Sequence, residues 1–124
     1  MRLLLDTHAF VWWVSEGQPL GPGVRHAIQD ATNEILLSVA SLWELTIKRS
    51  NGKLGFPVDF ATAVDDEGFH ILPIQYGHLK ILETLPRLHR DPFDRMLVAQ
   101  ALADDLTLAT HDARIAAYGV PTLW

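Results

Sequence analysis

The chain has 124 residues, 48% of them hydrophobic, and a formal charge of −5 at pH 7, which fits a single domain over residues 1–124 able to bury roughly two thirds of its unfolded surface. With no cysteine, it excludes a disulfide framework, a thiolate nucleophile and thiolate-ligated metal, and it suits a reducing cytoplasm. The negative charge argues against a broad basic face for nucleic acid, and no apolar run reaches the length of a signal peptide core or a membrane span.

Leu3 to Leu5 form an uninterrupted apolar run closed by Asp6, the pattern of a strand covered on both faces. Thr7 to Val14 reads as a short apolar helix, and Gly21-Pro22-Gly23 leads into a second from about Val24 to Ala31. Ile35-Leu36-Leu37 repeats the strand signature. Val39 to Arg49 has the periodicity of a helix, with Asn51-Gly52 as its stop. Gly55-Phe56-Pro57 predicts a connector, Val58 to Asp66 a helix, and Phe69 to Ile74 a short or edge strand broken at Pro73. Tyr76 to Leu85 is an amphipathic helix ended by Pro86. A basic loop, Arg87-Leu88-His89-Arg90, leads to Asp91-Pro92, which opens a new helix. From Met96 to Ala103 this helix is apolar except at Gln100, so most of its circumference is expected to be buried. Thr107 to Ala109 is the next strand, Ala113 to Tyr118 a short helix and Val120 to Trp124 a last strand.

Strands alternating with helices at these spacings predict an α/β fold, a mostly parallel sheet with helices on both faces, because parallel strands need long crossovers. Ligands of such sheets bind beyond the carboxyl ends of the strands. Asp6 and Asp112 follow directly on strands, and Glu44 lies early in the helix that leaves the second strand. Asp94 sits in the first turn of a helix running antiparallel to the Thr107 strand, so it too reaches that edge. Four acids at one rim repel one another and call for a hard divalent cation. That chemistry points to a metal-dependent phosphodiesterase.

Each acid also has a plain structural use. Asp6, Asp91 and Asp112 suit helix N-caps, a role worth about 1 kcal/mol each. Ser41 and Glu44 have capping-box spacing, and Glu44 stands four residues before Lys48, a pair worth roughly 0.2–0.5 kcal/mol. Asp94 could merely complement a helix dipole. Against this stands the burial expected at the inner end of the apolar helix, where a carboxylate serving only the dipole would be poorly placed. Spacing alone leaves both readings open.

Three segments carry a family resemblance: Leu3-Leu4-Leu5-Asp6-Thr7-His8, Ser38 through Lys48, and His89-Arg90-Asp91-Pro92-Phe93-Asp94-Arg95 running on to Ala101. With Leu108-Ala109-Thr110-His111-Asp112, the match spans essentially the whole chain, and it resembles PIN-domain ribonucleases, nearest the VapC-type toxins of bacterial toxin–antitoxin modules. The resemblance implies a three-layer α/β/α domain, Mg²⁺ or Mn²⁺ dependence, endonucleolytic cleavage of RNA, a cognate antitoxin protein and a homodimer. It makes Asp6, Glu44, Asp94 and Asp112 the catalytic and metal-holding acids, with Thr7 and Thr110 orienting what they bind.

Lys48, Arg95 and the stretch from Arg87 to Arg90 lie near the acids in sequence and suit RNA phosphates or a solvated surface. His8, His89 and His111 suit a supporting role beside the site, and Phe10, Trp12 and Trp13 read first as core. Two other functions fit the same residues. One is an Asp/His dimetal phosphoesterase built on Asp6-x-His8 and His111-Asp112. The other is a non-catalytic protein-binding module whose acids are caps.

Overall fold

The computed structural model describes residues 1–15, 19–55 and 59–124. The apolar runs become strands: β1 (Arg2–Leu5), β2 (Glu34–Ser38), β3 (His70–Leu72), β4 (Thr107–Ala109) and β5 (Thr122–Leu123). They form one sheet in the order β3-β2-β1-β4-β5, with every pair parallel. The first strand is therefore central, and strand order reverses around it. Leu3 pairs with Ile35 on one side and Thr107 on the other.

Alternation along β1 sends Leu3 and Leu5 to one core and Leu4 to the other. On the first face lie α1 (Thr7–Ser15), α2 (Pro22–Gln29) and α4 (Phe60–Glu67), which contribute Phe10, Val24 and Val64. On the second lie α5 (Tyr76–Thr84), α6 (Pro92–Asp104) and α7 (Ala113–Ala116). The helix between β2 and the described part of the following connection, α3 (Val39–Ser50), sends Leu45 to the first core and Ala40 to the second. This is a three-layer α/β/α arrangement. Leu97 and Val98 of α6 are fully buried, each burial worth roughly 1.5–3 kcal/mol. Gln100 is fully buried as well, donating to the Pro73 carbonyl at 3.3 Å.

Several boundaries differ from the sequence expectation for identifiable reasons. Pro22 occupies the first turn of α2, and the Asp30 carboxylate accepts from Thr32 N–H at 2.9 Å, turning the chain before Ala31. Ser38, not Ser41, caps α3 by accepting from Ala40 N–H at 3.0 Å, so the Ser41–Glu44 capping box does not form. Of the connector Gly55-Phe56-Pro57, only Gly55 lies within the described residues. Val58, the expected start of the next helix, lies outside them too, and α4 is capped by Asp59. The Phe69–Ile74 segment pairs only over His70–Leu72 and forms the sheet edge, since Pro73 has no N–H to donate. The final strand is two residues long and follows Pro121. Among the described residues no helix is long and apolar enough to cross a membrane.

Candidate active site

At the carboxyl end of the sheet the four acids line one cleft of about 630 Å³. Asp6 is delivered by the end of β1, where its N–H donates to the Ala109 carbonyl of β4 at 3.1 Å. Its side chain is 5% exposed, and Oδ1 accepts from Ala9 N–H at 2.8 Å. Asp6 thus caps α1 and also lines the cleft. Burial pushes the Asp6 carboxyl above its ordinary range, while hydrogen bonds from Thr110 and Ala9 oppose the rise.

Glu44 projects from the second turn of α3. The Thr7 hydroxyl donates to Glu44 Oε1 at 2.7 Å and lies 3.1 Å from the buried Ser41 hydroxyl. Lys48 Nζ pairs with Oε2 at 3.1 Å. Thr7 thus orients an acid directly across the boundary between α1 and α3.

Asp94 stands in the first turn of α6 behind the cap, Asp91, whose Oδ1 accepts from the N–H groups of Phe93 and Asp94 at 2.8 and 3.1 Å. Burial, joined by the charges of Asp91, Glu44 and Asp6 against the pull of His89, pushes the Asp94 carboxyl up to about 7.

Asp112 is in the opposite condition. It caps α7, with Oδ1 accepting from Arg114 N–H at 2.8 Å and Nε at 3.2 Å. Its Oδ2 accepts from Arg114 Nη2 at 3.1 Å and from His89 Nε2 at 3.0 Å. Burial raises the carboxyl, but the hydrogen bonds from Arg114 and His89 outweigh it and hold Asp112 at about 2. Its own N–H donates to Thr110 Oγ1 at 3.1 Å. Thr110 is buried behind the acids, where it touches the backbone of one and moderates the charge of another.

His89 joins the two acids of the second wall. It is 4% exposed, and Nε2 lies 3.0 Å from Asp112 Oδ2 and 3.2 Å from Asp94 Oδ2. Donor atoms of His89, Asp94 and Asp112 all lie within 4.8 Å of one another, while Asp6 and Glu44 face the same cleft outside that trio. Sequence reasoning gave His89 no specific partner. The available signal was its place at the end of the basic loop, five residues before Asp94.

Of the basic residues, Lys48, Arg90 and Arg114 line the cleft. Arg95 does not. Its Nη1 donates to the Pro86 carbonyl at 2.9 Å and to Tyr118 Oη at 3.0 Å, so the guanidinium braces the 85–90 loop and is turned from the acids. His8 and His111 line the same cleft, in ring contact with Trp12 and Trp124, and lie outside the donor trio.

A family model for the PIN domain matches residues 3–121. The chain belongs to the PIN domain family. This PIN domain is 26% identical over 128 residues to Ribonuclease VapC22 of Mycobacterium tuberculosis, an alignment covering 98% of each chain. Among solved structures, its fold is similar to that of VapBC2 from Rickettsia felis bound to a DNA fragment from their promoter, with a TM-score of 0.72, 15% identity and full coverage of both chains. A toxin–antitoxin complex from Klebsiella pneumoniae is similar at a TM-score of 0.64 and 18% identity, covering 98% of this PIN domain and 96% of that chain. The carboxylate oxygens facing the cleft of the PIN domain are a donor set that could hold a hard divalent cation.

Proposed function

We propose that this PIN domain is a divalent-metal-dependent endoribonuclease that acts as the toxin of a toxin–antitoxin pair. The observation that carries the reading is the convergence of Asp6, Glu44, Asp94 and Asp112 on one cleft at the carboxyl edge of the sheet. Mg²⁺ or Mn²⁺ suits these carboxylate oxygens, and a bound cation would favour the charged form of Asp94, which burial and the neighbouring acids disfavour. The ribonuclease name of the mycobacterial relative supports RNA as the substrate.

Asp6, Glu44 and Asp94 hold the cation in this reading. Asp112 completes the acidic wall, with its oxygens already engaged by Arg114 and His89. The bound ion supplies Lewis-acid polarisation of the scissile phosphate and eases deprotonation of the attacking water. Thr7 keeps Glu44 oriented, Thr110 keeps Asp112 and Asp6 in place, and Arg90 with Lys48 meets the phosphates entering the cleft. In this reading the proton of the water would pass to an acid of the rim that the ion leaves free. No covalent intermediate is required.

The same reading includes a cognate antitoxin protein as inhibitor, a homodimer as the assembly and the cytoplasm as the compartment. The toxin–antitoxin complexes among the structural relatives support a protein partner. So does the exposed apolar stripe Val39, Trp43 and Ile47 along α3. The deciding experiment incubates purified protein with RNA in Mg²⁺, in chelator, and as the Asp94→Asn variant. Cleavage is expected in the first condition alone. Equal cleavage by the variant would remove the reading and point to a contaminating nuclease.

A further inference from the structure

One wall of the cleft is made of rings. His8, Trp12 and His111 line it, with the His8 and Trp12 centroids 5.4 Å apart and those of Trp12 and His111 6.0 Å apart. Behind them stands Trp124, stacked on His111 at 4.4 Å with the planes 28° apart, and edge-on to Trp12 at 5.8 Å. The sequence builds a fixed seat for this last indole. Val24 N–H donates to the Trp124 main-chain oxygen at 3.2 Å, and a Cβ at Gly21 would lie 2.3 Å from the Trp124 carbonyl carbon. At Gly23 it would lie 2.4 Å from the Trp124 oxygen. Both glycines at the start of α2 are needed for the close approach.

Packing accounts for Trp124 and for part of Trp12, which join the first core. It leaves the His8 and His111 rings exposed, with no side-chain hydrogen bond among the described residues, although both act on Asp6 and lower its carboxyl. We propose that this ring wall, through His8 and His111, is a stacking site for the nucleobase beside the scissile phosphate. The inference rests on the ribonuclease reading and adds to it the residues that recognise a base.

The electrostatics favour this occupant. The chain is acidic overall, and two of the cations at the cleft are already matched, Lys48 by Glu44 and Arg114 by Asp112. Phosphate contacts are therefore few, and the sequence-independent part of the affinity is small. Stacking on aromatic rings supplies affinity without charge, and every base has a face to offer. A paired base has both faces covered by its neighbours, so only an unpaired one can reach His8 or His111.

The test measures fluorescence anisotropy of a labelled single-stranded RNA of roughly ten nucleotides on full-length Asp94→Asn protein, which keeps the RNA intact. Adding His8→Ala and His111→Ala is expected to weaken binding roughly tenfold while leaving the salt dependence unchanged, because a base contact releases no counterions. His111→Phe in place of His111→Ala keeps a ring and is expected to restore most of the affinity. An RNA carrying an abasic position in the register of the wall should bind the parent as weakly as the intact RNA binds the double variant. Binding within about twofold of the parent, a reduced salt slope or undiminished affinity for abasic RNA would each overturn the proposal. Wild-type cleavage measured in parallel separates the two ideas. If metal-dependent cleavage persists while the wall proves silent, only the stacking site is lost; if RNA is neither bound nor cut, both are.

Discussion

The Asp91 N–H donates to His89 Nδ1 at 3.0 Å, and this contact decides which ring nitrogen carries the proton. With Nδ1 an acceptor, the proton sits on Nε2 and is shared between Asp94 Oδ2 and Asp112 Oδ2 at 3.2 and 3.0 Å. Although His89 lies within metal-ligand spacing of both acids, its lone pair points to the backbone. It serves the cleft as a donor that holds two carboxylates side by side.

His89→Ala is therefore expected to lower metal-dependent cleavage about 10- to 100-fold, the usual effect of removing a group that orients metal-holding residues. His89→Gln keeps an N–H donor and should recover part of the loss. Calorimetric titration with Mn²⁺ checks the cause, and an alanine variant with wild-type metal affinity and activity would refute the clamp.

The metal-free protein should lose stability as pH rises through neutrality. Asp94, raised to about 7 from 3.8, binds more protons folded than unfolded, so its contribution declines from about pH 4 until it is fully ionised above about 7. Asp94→Asn removes that decline. In chelator at about pH 8 the variant should be the more stable protein, on the order of 2 kcal/mol. Urea melts across the pH range test this, and parallel curves for both proteins would contradict it.

Adding Mn²⁺ should reverse the difference. At a free concentration about 100 times its Kd, a ligand that binds only the native state adds roughly 2.7 kcal/mol. Wild-type protein should gain several degrees in Tm and the Asp94→Asn variant much less. An equal gain in both would place the cation elsewhere.

Arg90 and Arg95, five residues apart, should behave as different kinds of residue. Arg95→Ala removes the brace on the Leu85 and Pro86 carbonyls and on Tyr118 Oη, which itself accepts from the N–H groups of Leu88 and His89 at 3.1 and 3.0 Å. A cost of about 1–3 kcal/mol in stability is expected. Arg90→Ala should leave stability nearly unchanged, weaken RNA binding, and lower the salt slope by about one. Thermal melts beside binding at varied salt separate the two. Equal effects would count against the assignment.

The legible parts of the molecule were those with a local pattern. The runs at Leu3–Leu5 and Ile35–Leu37 have no polar interruption, so each reads as a strand covered on both faces, and each lies within one. The meeting of Asp6, Glu44, Asp94 and Asp112 followed from strand ends and helix directions alone. What stayed hidden depends on partners distant in sequence. Arg95 looks basic and available until Tyr118 and the Pro86 carbonyl are brought beside it. His89 acquires its role from Asp112, 23 residues on. The glycines at 21 and 23 look like an ordinary helix start until Trp124 fills the space. Ser41 looked like a cap because Ser38, three residues earlier, has the same chemistry and stands nearer the strand end.

β1 lies in the middle of the sheet, with β2 on one flank and β4 on the other. Its two edges are completed by segments far apart in the chain, Ile35–Leu37 and Thr107–Ala109. Asp6 at its tip therefore shares a cleft with Asp112 only when the β1–β4 pairing has formed. A segment that stops short of β4 lacks Asp112, so the acidic rim is assembled by the closing of the sheet and by no local stretch of sequence.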